Sequence, residues 1–220
     1  MRTFQADIIR DHFVINDNGR KVLVDTGCPL VITEENKNRI HGGCEALDSA
    51  RSNVSPDIDE FRGLEYFCNH KVLFDYKNAK VIVADANEAL SVENPVAEFD
   101  LKNVPGRIVF TANIGGMDRG MVFDTGASIT DYMSKPIAET GTYFDTIEDF
   151  HPNLGKYTVK RYELPVKVGE ETLDVPFGVQ PADVEPHVRA VGADGVIGVG
   201  LYKKYQVLID LPGKKMILGR

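Results

Sequence analysis

Two acidic residues, Asp25 and Asp124, each open an Asp-Thr-Gly tripeptide, and each follows a short apolar run, residues 22–24 and 121–123. One carboxyl alone is poorly equipped to hydrolyse an amide. Two in contact can do both halves of the work. Like charges at close range do not both ionise, so the pair holds one proton over a useful pH range. The ionised member takes a proton from water as general base, and the protonated member donates to the carbonyl oxygen. The other two residue types suit such a pair. Thr26 and Thr125 carry hydroxyls that can lock two loops together. Gly27 and Gly126 lack a side chain, which lets the loops approach closely and adopt unusual backbone angles. One Asp-Thr-Gly is a weak signal, because Asp and Gly are ordinary turn formers. Two copies behind two apolar strands are a stronger one.

Bringing two such loops together requires two similar halves, and the chain repeats itself. Residues 20–27 align with residues 119–126, and residues 59–84 align without a gap with residues 194–219. Gly63 matches Gly198, Val72-Leu73-Phe74-Asp75 matches Val207-Leu208-Ile209-Asp210, and Lys80 matches Lys215. Both copies end in strand, turn and strand, a hairpin signature. The repeat predicts an abbreviated N-terminal lobe at residues 1–88, a connector at 89–103 and a C-terminal lobe at 104–220. Part of the connector, residues 97–101, resembles the apolar stretch 5–9. Short apolar runs at 14–15, 22–24, 109–112 and 121–123 read as strands, and residues 157–179 alternate around a Gly169-Glu170-Glu171 turn. Helical patterns are short, at 64–67, 135–139 and 201–205. The fold class is all-β with a few short helices.

Three segments carry a family resemblance: Val24-Asp25-Thr26-Gly27, Phe123-Asp124-Thr125-Gly126-Ala127-Ser128, and Gly195-Val196-Ile197-Gly198 followed by residues 201–205 and 207–210. On these the sequence resembles the pepsin-like and retropepsin-like aspartic peptidases. The resemblance implies a two-lobed acid-protease barrel with pseudo-two-fold symmetry, each lobe of retropepsin size and both in one chain. It implies Asp25 and Asp124 as the catalytic dyad and an endopeptidase acting on extended peptide or unfolded protein. Thr26 and Thr125 would interlock, with Gly27, Gly126, Ala127 and Ser128 supporting the dyad.

The sequence also departs from that family. Only 38 residues separate Asp25 from Gly63, against 74 between Asp124 and Gly198. The shorter interval lacks room for a flap hairpin, and residues 40–54, with Gly42-Gly43 and many polar residues, read as a loop. The longer one has room: residues 144–160 can form a hairpin with its tip at Pro152-Asn153-Leu154-Gly155. A single flap from the second lobe is expected, the reverse of the pepsin-like arrangement. Phe150, Leu154, Gly155 and Tyr157 are the candidate substrate contacts, with ordinary packing inside the hairpin as the competing role. Arg62 stands where the family has an apolar residue, so it either reaches solvent or has displaced the usual packing. Cys28 stands where Ser or Ala is usual. A small apolar role suits it, and a catalytic one is disfavoured because no His lies near it in sequence.

Composition narrows the partners. A net charge of −8 gives no basic face for nucleic acid or anionic membrane. No apolar run reaches membrane-span length, and the first residues lack a secretory signal pattern, so a cytoplasmic location is expected. The three cysteines show no pair spacing, which suits free thiols. The five histidines show no metal-ligand spacing and read as surface or hydrogen-bonded side chains, so neither metal nor cofactor is expected. With both tripeptides in one chain, a monomer is expected. Two other readings stay open: a peptide-binding module that has lost turnover, and a homodimer that pairs two second lobes and leaves Asp25 idle.

Overall fold

The computed structural model describes residues 1–152 and 154–220. The first half contains β1 (Arg2–Ile9), β2 (His12–Asp17), β3 (Arg20–Val24), β4 (Val31–Thr33), α1 (Gly43–Asn53), β5 (Glu60–Arg62), α2 (Leu64–Phe67), β6 (His70–Asp75) and β7 (Lys80–Asp85). The second contains β8 (Pro95–Asp100), β9 (Val109–Ile114), β10 (Met117–Phe123), β11 (Asp131–Met133), α3 (Lys135–Ala138), β12 (Thr142–His151), β13 (Gly155–Val168) and β14 (Glu171–Val179). It closes with α4 (Glu185–Ala190), β15 (Gly195–Ile197), α5 (Val199–Tyr202), β16 (Gln206–Asp210) and β17 (Lys215–Gly219).

The strands form two sheets, ordered β4-β5-β3-β2-β1-β7-β6-β16-β17-β8 and β12-β13-β14-β11-β15-β10-β9. The first sheet joins the lobes. The lobes meet at the antiparallel pair β6 and β16, where Leu73 faces Leu208, Val72 faces Ile209 and Phe74 faces Val207. These are the repeat-related residues, so the pseudo-two-fold axis runs between the two leucines. β1 flanks β7 on one side and β8 flanks β17 on the other. The likeness between stretches 5–9 and 97–101 reflects these equivalent places.

Turn chemistry sets the strands that end at the two aspartates. β2 and β3 are joined by Asn18-Gly19, with φ of 54° and 83°. β9 and β10 are joined by Gly115-Gly116, with φ of 62° and 77°. Two residues at positive φ make the tight turn whose twist matches paired strands, and Asn and Gly tolerate it best. One apolar core runs through both lobes and includes Phe13, Phe74, Phe123, Tyr202 and Ile209, all buried. Each large apolar side chain so buried contributes on the order of 2 kcal/mol. The two loops therefore rest on a shared foundation.

Residues 40–54 correct the sequence expectation. They are not a loop: α1 occupies most of them, with Leu47 and Ala50 buried against Val14, Leu23, Ile32, Ile58 and Phe61. The apolar signal is only two residues three apart, too sparse to recognise in isolation. Gly43 marks a close approach rather than a break, because a Cβ there would strike the Lys37 carbonyl. The longer interval of the second lobe forms the hairpin β12–β13, paired from Thr142 with Glu163 to His151 with Gly155. Of its expected tip, Asn153 lies outside the described residues.

Candidate active site

Asp25 directly follows β3 and Asp124 directly follows β10. Each loop hangs from a parallel neighbour strand: the Asp25 amide donates to the Arg62 carbonyl and the Asp124 amide to the Ile197 carbonyl, both at 3.0 Å. Gly63 and Gly198 follow those strands. A Cβ at Gly63 would meet the Cys28 and Leu30 carbonyls, and one at Gly198 the Asp124 carbonyl. Only glycine lets the supporting strand pass so close behind the loop.

The loops are locked to each other by their threonines. The Thr26 amide donates to Thr125 Oγ1 at 3.0 Å, and the Thr125 amide to Thr26 Oγ1 at 2.9 Å. Each hydroxyl then donates across the axis, Thr26 to the Phe123 carbonyl at 3.3 Å and Thr125 to the Val24 carbonyl at 3.1 Å. Both side chains are fully buried. Above them the two carboxyls come together and line one recess. Gly27 and Gly126 make this possible, since a Cβ on either would fall on the opposite aspartate's carboxylate. Asp25 Oδ1 accepts from the Gly27 amide at 2.8 Å and the Cys28 amide at 3.0 Å, and Asp124 Oδ1 from the Gly126 amide at 2.7 Å. Burial and the neighbouring Asp124 charge push the Asp25 carboxyl well above the usual carboxylate range, outweighing the two amides. The pair as a unit therefore retains a proton where isolated carboxylic acids have lost theirs.

Two recesses meet at Gly27 and Asp124. The first, of about 370 Å³, is lined on the lobe-1 side by Leu23, Ile32, Ile40, Ala46 and Ala50, and on the other by Phe150 and Tyr157. Gly126, Ala127 and Ser128 line it as well. The second, of about 450 Å³, takes in Leu154. Gly155, at φ +70°, opens β13 and lines neither. The structure thus gathers Phe150, Leu154 and Tyr157 around the two carboxyls, with Gly155 beside them as a turn residue.

Several residues at the site carry no local signal in the sequence. His12 is buried, with Nδ1 3.1 Å from the Arg10 carbonyl and Ser128 Oγ 3.1 Å from its ring nitrogens. A carbonyl only accepts, so Nδ1 is the donor and Nε2 accepts from Ser128. Its ring also lies 6.3 Å from that of Phe150. His12 is placed by a turn of two non-glycine residues at positive φ, Arg10 and Asp11. Asp11 is held there by Tyr76, Lys203 and the Tyr202 hydroxyl. Burial holds the His12 imidazole below the usual histidine range, so it is neutral. The hairpin has its own anchor: Tyr132 donates to Asp149, and the Tyr157 hydroxyl lies 2.6 Å from that of Tyr132. Beneath the second loop, Asp131 accepts from the Gly198 amide at 2.6 Å and the Gly200 amide at 2.9 Å. Burial pushes its carboxyl up to about 7 despite those bonds.

The two departures in lobe 1 also resolve. Arg62 is buried, paired with Glu60 at 2.5 Å and Asp17 at 2.7 Å, and lies 4.2 Å over the Tyr66 ring. It has displaced apolar packing rather than reached solvent. Cys28 packs partly buried against the lobe-1 core, and burial pushes its thiol up to about 12. Contrary to the sequence expectation, histidines do come near: His12 and His41 line the same recess. A thiol so reluctant to ionise is nonetheless a poor nucleophile.

No protein-family model matches the sequence, and no curated protein matches it. Among solved structures, the chain is similar to an aspartic proteinase from Irpex lacteus, with a TM-score of 0.55 and 10% identity over 99% of this chain and 96% of that one. It is also similar to a retropepsin-like aspartic protease from Rickettsia conorii, with a TM-score of 0.41 and 19% identity over 59% of this chain and 96% of that one. The first likeness, with the two lobes and their shared sheet, establishes the two-lobed pepsin-like fold.

Proposed function

We propose that this chain is an aspartic-type endopeptidase with Asp25 and Asp124 as its catalytic pair. The observation that carries the proposal is the placement of the two carboxyls, each against the glycine of the opposite loop and both in one recess, above reciprocally bonded threonines. An extended peptide lies across the pair with its scissile carbonyl over the carboxyls. A water held between them gives one proton to the ionised carboxyl as it attacks the carbonyl carbon. The protonated carboxyl donates to the carbonyl oxygen. The tetrahedral intermediate then collapses, the C–N bond breaks, and a carboxyl proton passes to the leaving amine. The β12–β13 hairpin serves as the flap, and its strand-like backbone holds the substrate main chain. Large apolar side chains fit the lobe-1 recess. Cleavage of an unstructured protein across pH 3–8 tests this. Asp25→Asn and Asp124→Asn should each lose activity by about 10²–10⁴-fold. Variants as active as wild type would end the proposal.

One observation favours a second reading. α1 stands in the first lobe where a hairpin would otherwise help to hold substrate. A module that binds peptide without cutting it would show saturable peptide binding with no turnover at any pH.

A further inference from the structure

The second recess contains a cation that the hydrolysis does not use. Arg107 lines it together with Gly27, Asp124, His151, Asp183 and His187. It is the last residue of the turn at residues 104–107, closed by its own amide to the Val104 carbonyl at 3.3 Å. Gly106 in that turn has φ +68°, and a Cβ there would come within 3.0 Å of Pro29. The turn is therefore pressed against Pro29, at the end of the Asp25 loop of the other lobe. Among the described residues, the guanidinium makes one hydrogen bond, to the Gly106 carbonyl at 2.7 Å, and no ion pair. Asp25 and Asp124 accept instead from their own loop amides.

An arginine has five N–H donors in a planar fork that matches a carboxylate. Here one donor is used, and the rest belong to a side chain lining a recess that also takes in Asp124 and Gly27. Other arginines facing lobe 1 are matched by carboxylates: Arg62 by Glu60 and Asp17, and Arg51 by Glu34. We propose that Arg107 recognises a carboxylate of the substrate adjacent to the scissile bond, so that the cleft takes an apolar side chain in the lobe-1 recess and an acidic group in the other. Asp183 lines the same recess, so the acidic group sits on the Arg107 side, away from it. This inference rests on the peptidase reading for its chemistry but not for its binding preference.

The carboxylate could be a Glu or Asp side chain or the free end of a chain. Three peptides that share an apolar residue separate these: one with Glu at each position in turn beyond the cleaved bond and an amidated end, its Gln counterpart, and the Gln peptide ending there as a free acid. A charge-assisted hydrogen bond is worth about 1.5–3 kcal/mol, so wild type should prefer one carboxylate-bearing peptide by about tenfold or more in kcat/KM. Arg107→Gln should bring that ratio close to one, mainly through KM, and Arg107→Lys should restore part of it. Preference for the Glu peptide identifies a side chain, and preference for the free acid identifies a chain end. Equal ratios in wild type and Arg107→Gln, or no preference for either carboxylate, would overturn the inference. Affinities of the same peptides for Asp25→Asn protein give the ratio without turnover. A retained ratio there with no cleavage by wild type would sink the peptidase reading and leave this one standing. Matching thermal midpoints show that Arg107→Gln is folded.

Discussion

The residues around the two carboxyls act mostly by holding backbone in place, and their removal should register first as stability. Thr26→Val keeps the shape of the side chain but removes the oxygen that accepts from the Thr125 amide. An orphaned buried donor costs about 1–3 kcal/mol. A fall of that size in denaturant unfolding, with a larger loss of cleavage, is the expected result. Thr26→Ser, which keeps the oxygen, should retain most of both. Asp131 behaves in the same way one layer down. Asp131→Asn replaces one acceptor of the Gly198 and Gly200 amides with a donor, leaving one amide unmet. It should lower the thermal midpoint and also flatten the dependence of stability on pH between about 4, where the unfolded carboxyl titrates, and about 7, where the folded one does.

At the scale of elements, the site is asymmetric. One lobe offers a hairpin, and the other offers α1. The hairpin is tied down through Tyr132, Asp149 and Tyr157, while α1 is packed on a small core of its own. Ala46 and Ala50, one turn apart on α1, face the lobe-1 recess and leave it room. Ala46→Phe should fill that space. Peptides with a bulky apolar residue should lose about tenfold or more in kcat/KM, and those with alanine there much less. Equal losses for both would place the bulky side chain elsewhere. Leu47→Ala should cost about 2–5 kcal/mol, since it removes the one large side chain that α1 buries completely.

The whole molecule combines opposing titrations, and their sizes decide the outcome. Asp25 and Asp131 have raised values in the folded chain, so they bind protons more tightly there than when unfolded. Their effect is to lower stability as pH rises from about 4 through their folded values. His12 and His151 have lowered values and work the other way, losing stability as pH falls below about 6.5. The carboxyl shifts are the large ones. Thermal midpoints should therefore rise from pH 8 to pH 5. Below about pH 4.5 they should fall again, as Asp75, Asp145 and other carboxylates held low by their partners take up protons. A midpoint that climbs steadily towards pH 8 would contradict this balance. The first sheet also runs unbroken through both lobes, so one chain carries both Asp-Thr-Gly loops. A monomeric mass in solution together with activity that depends on Asp25 is the expected combination.

Much of this was legible in the sequence, and for a physical reason. A gene-level repeat writes the same residues twice, so the pairs Asp25 with Asp124, Gly63 with Gly198 and Leu73 with Leu208 can be matched before any coordinates are known. Turn chemistry and apolar strands are local, so the hairpins and the single long interval in the second lobe were also within reach. α1 was not, because two buried residues in a polar stretch are too few for periodicity to find. Neither were His12 against Ser128, Tyr132 against Asp149 and Tyr157, or Gly106 against Pro29. Those contacts join residues distant in sequence, or on strands whose facing is set by sheet order. A side chain's partner, and with it its charge and reach, is decided only when the strands pack. The sequence by itself determined that two Asp-Thr-Gly loops face each other in a two-lobed β fold. Tertiary structure alone decided that their carboxyls meet in one recess and that an arginine lines the other.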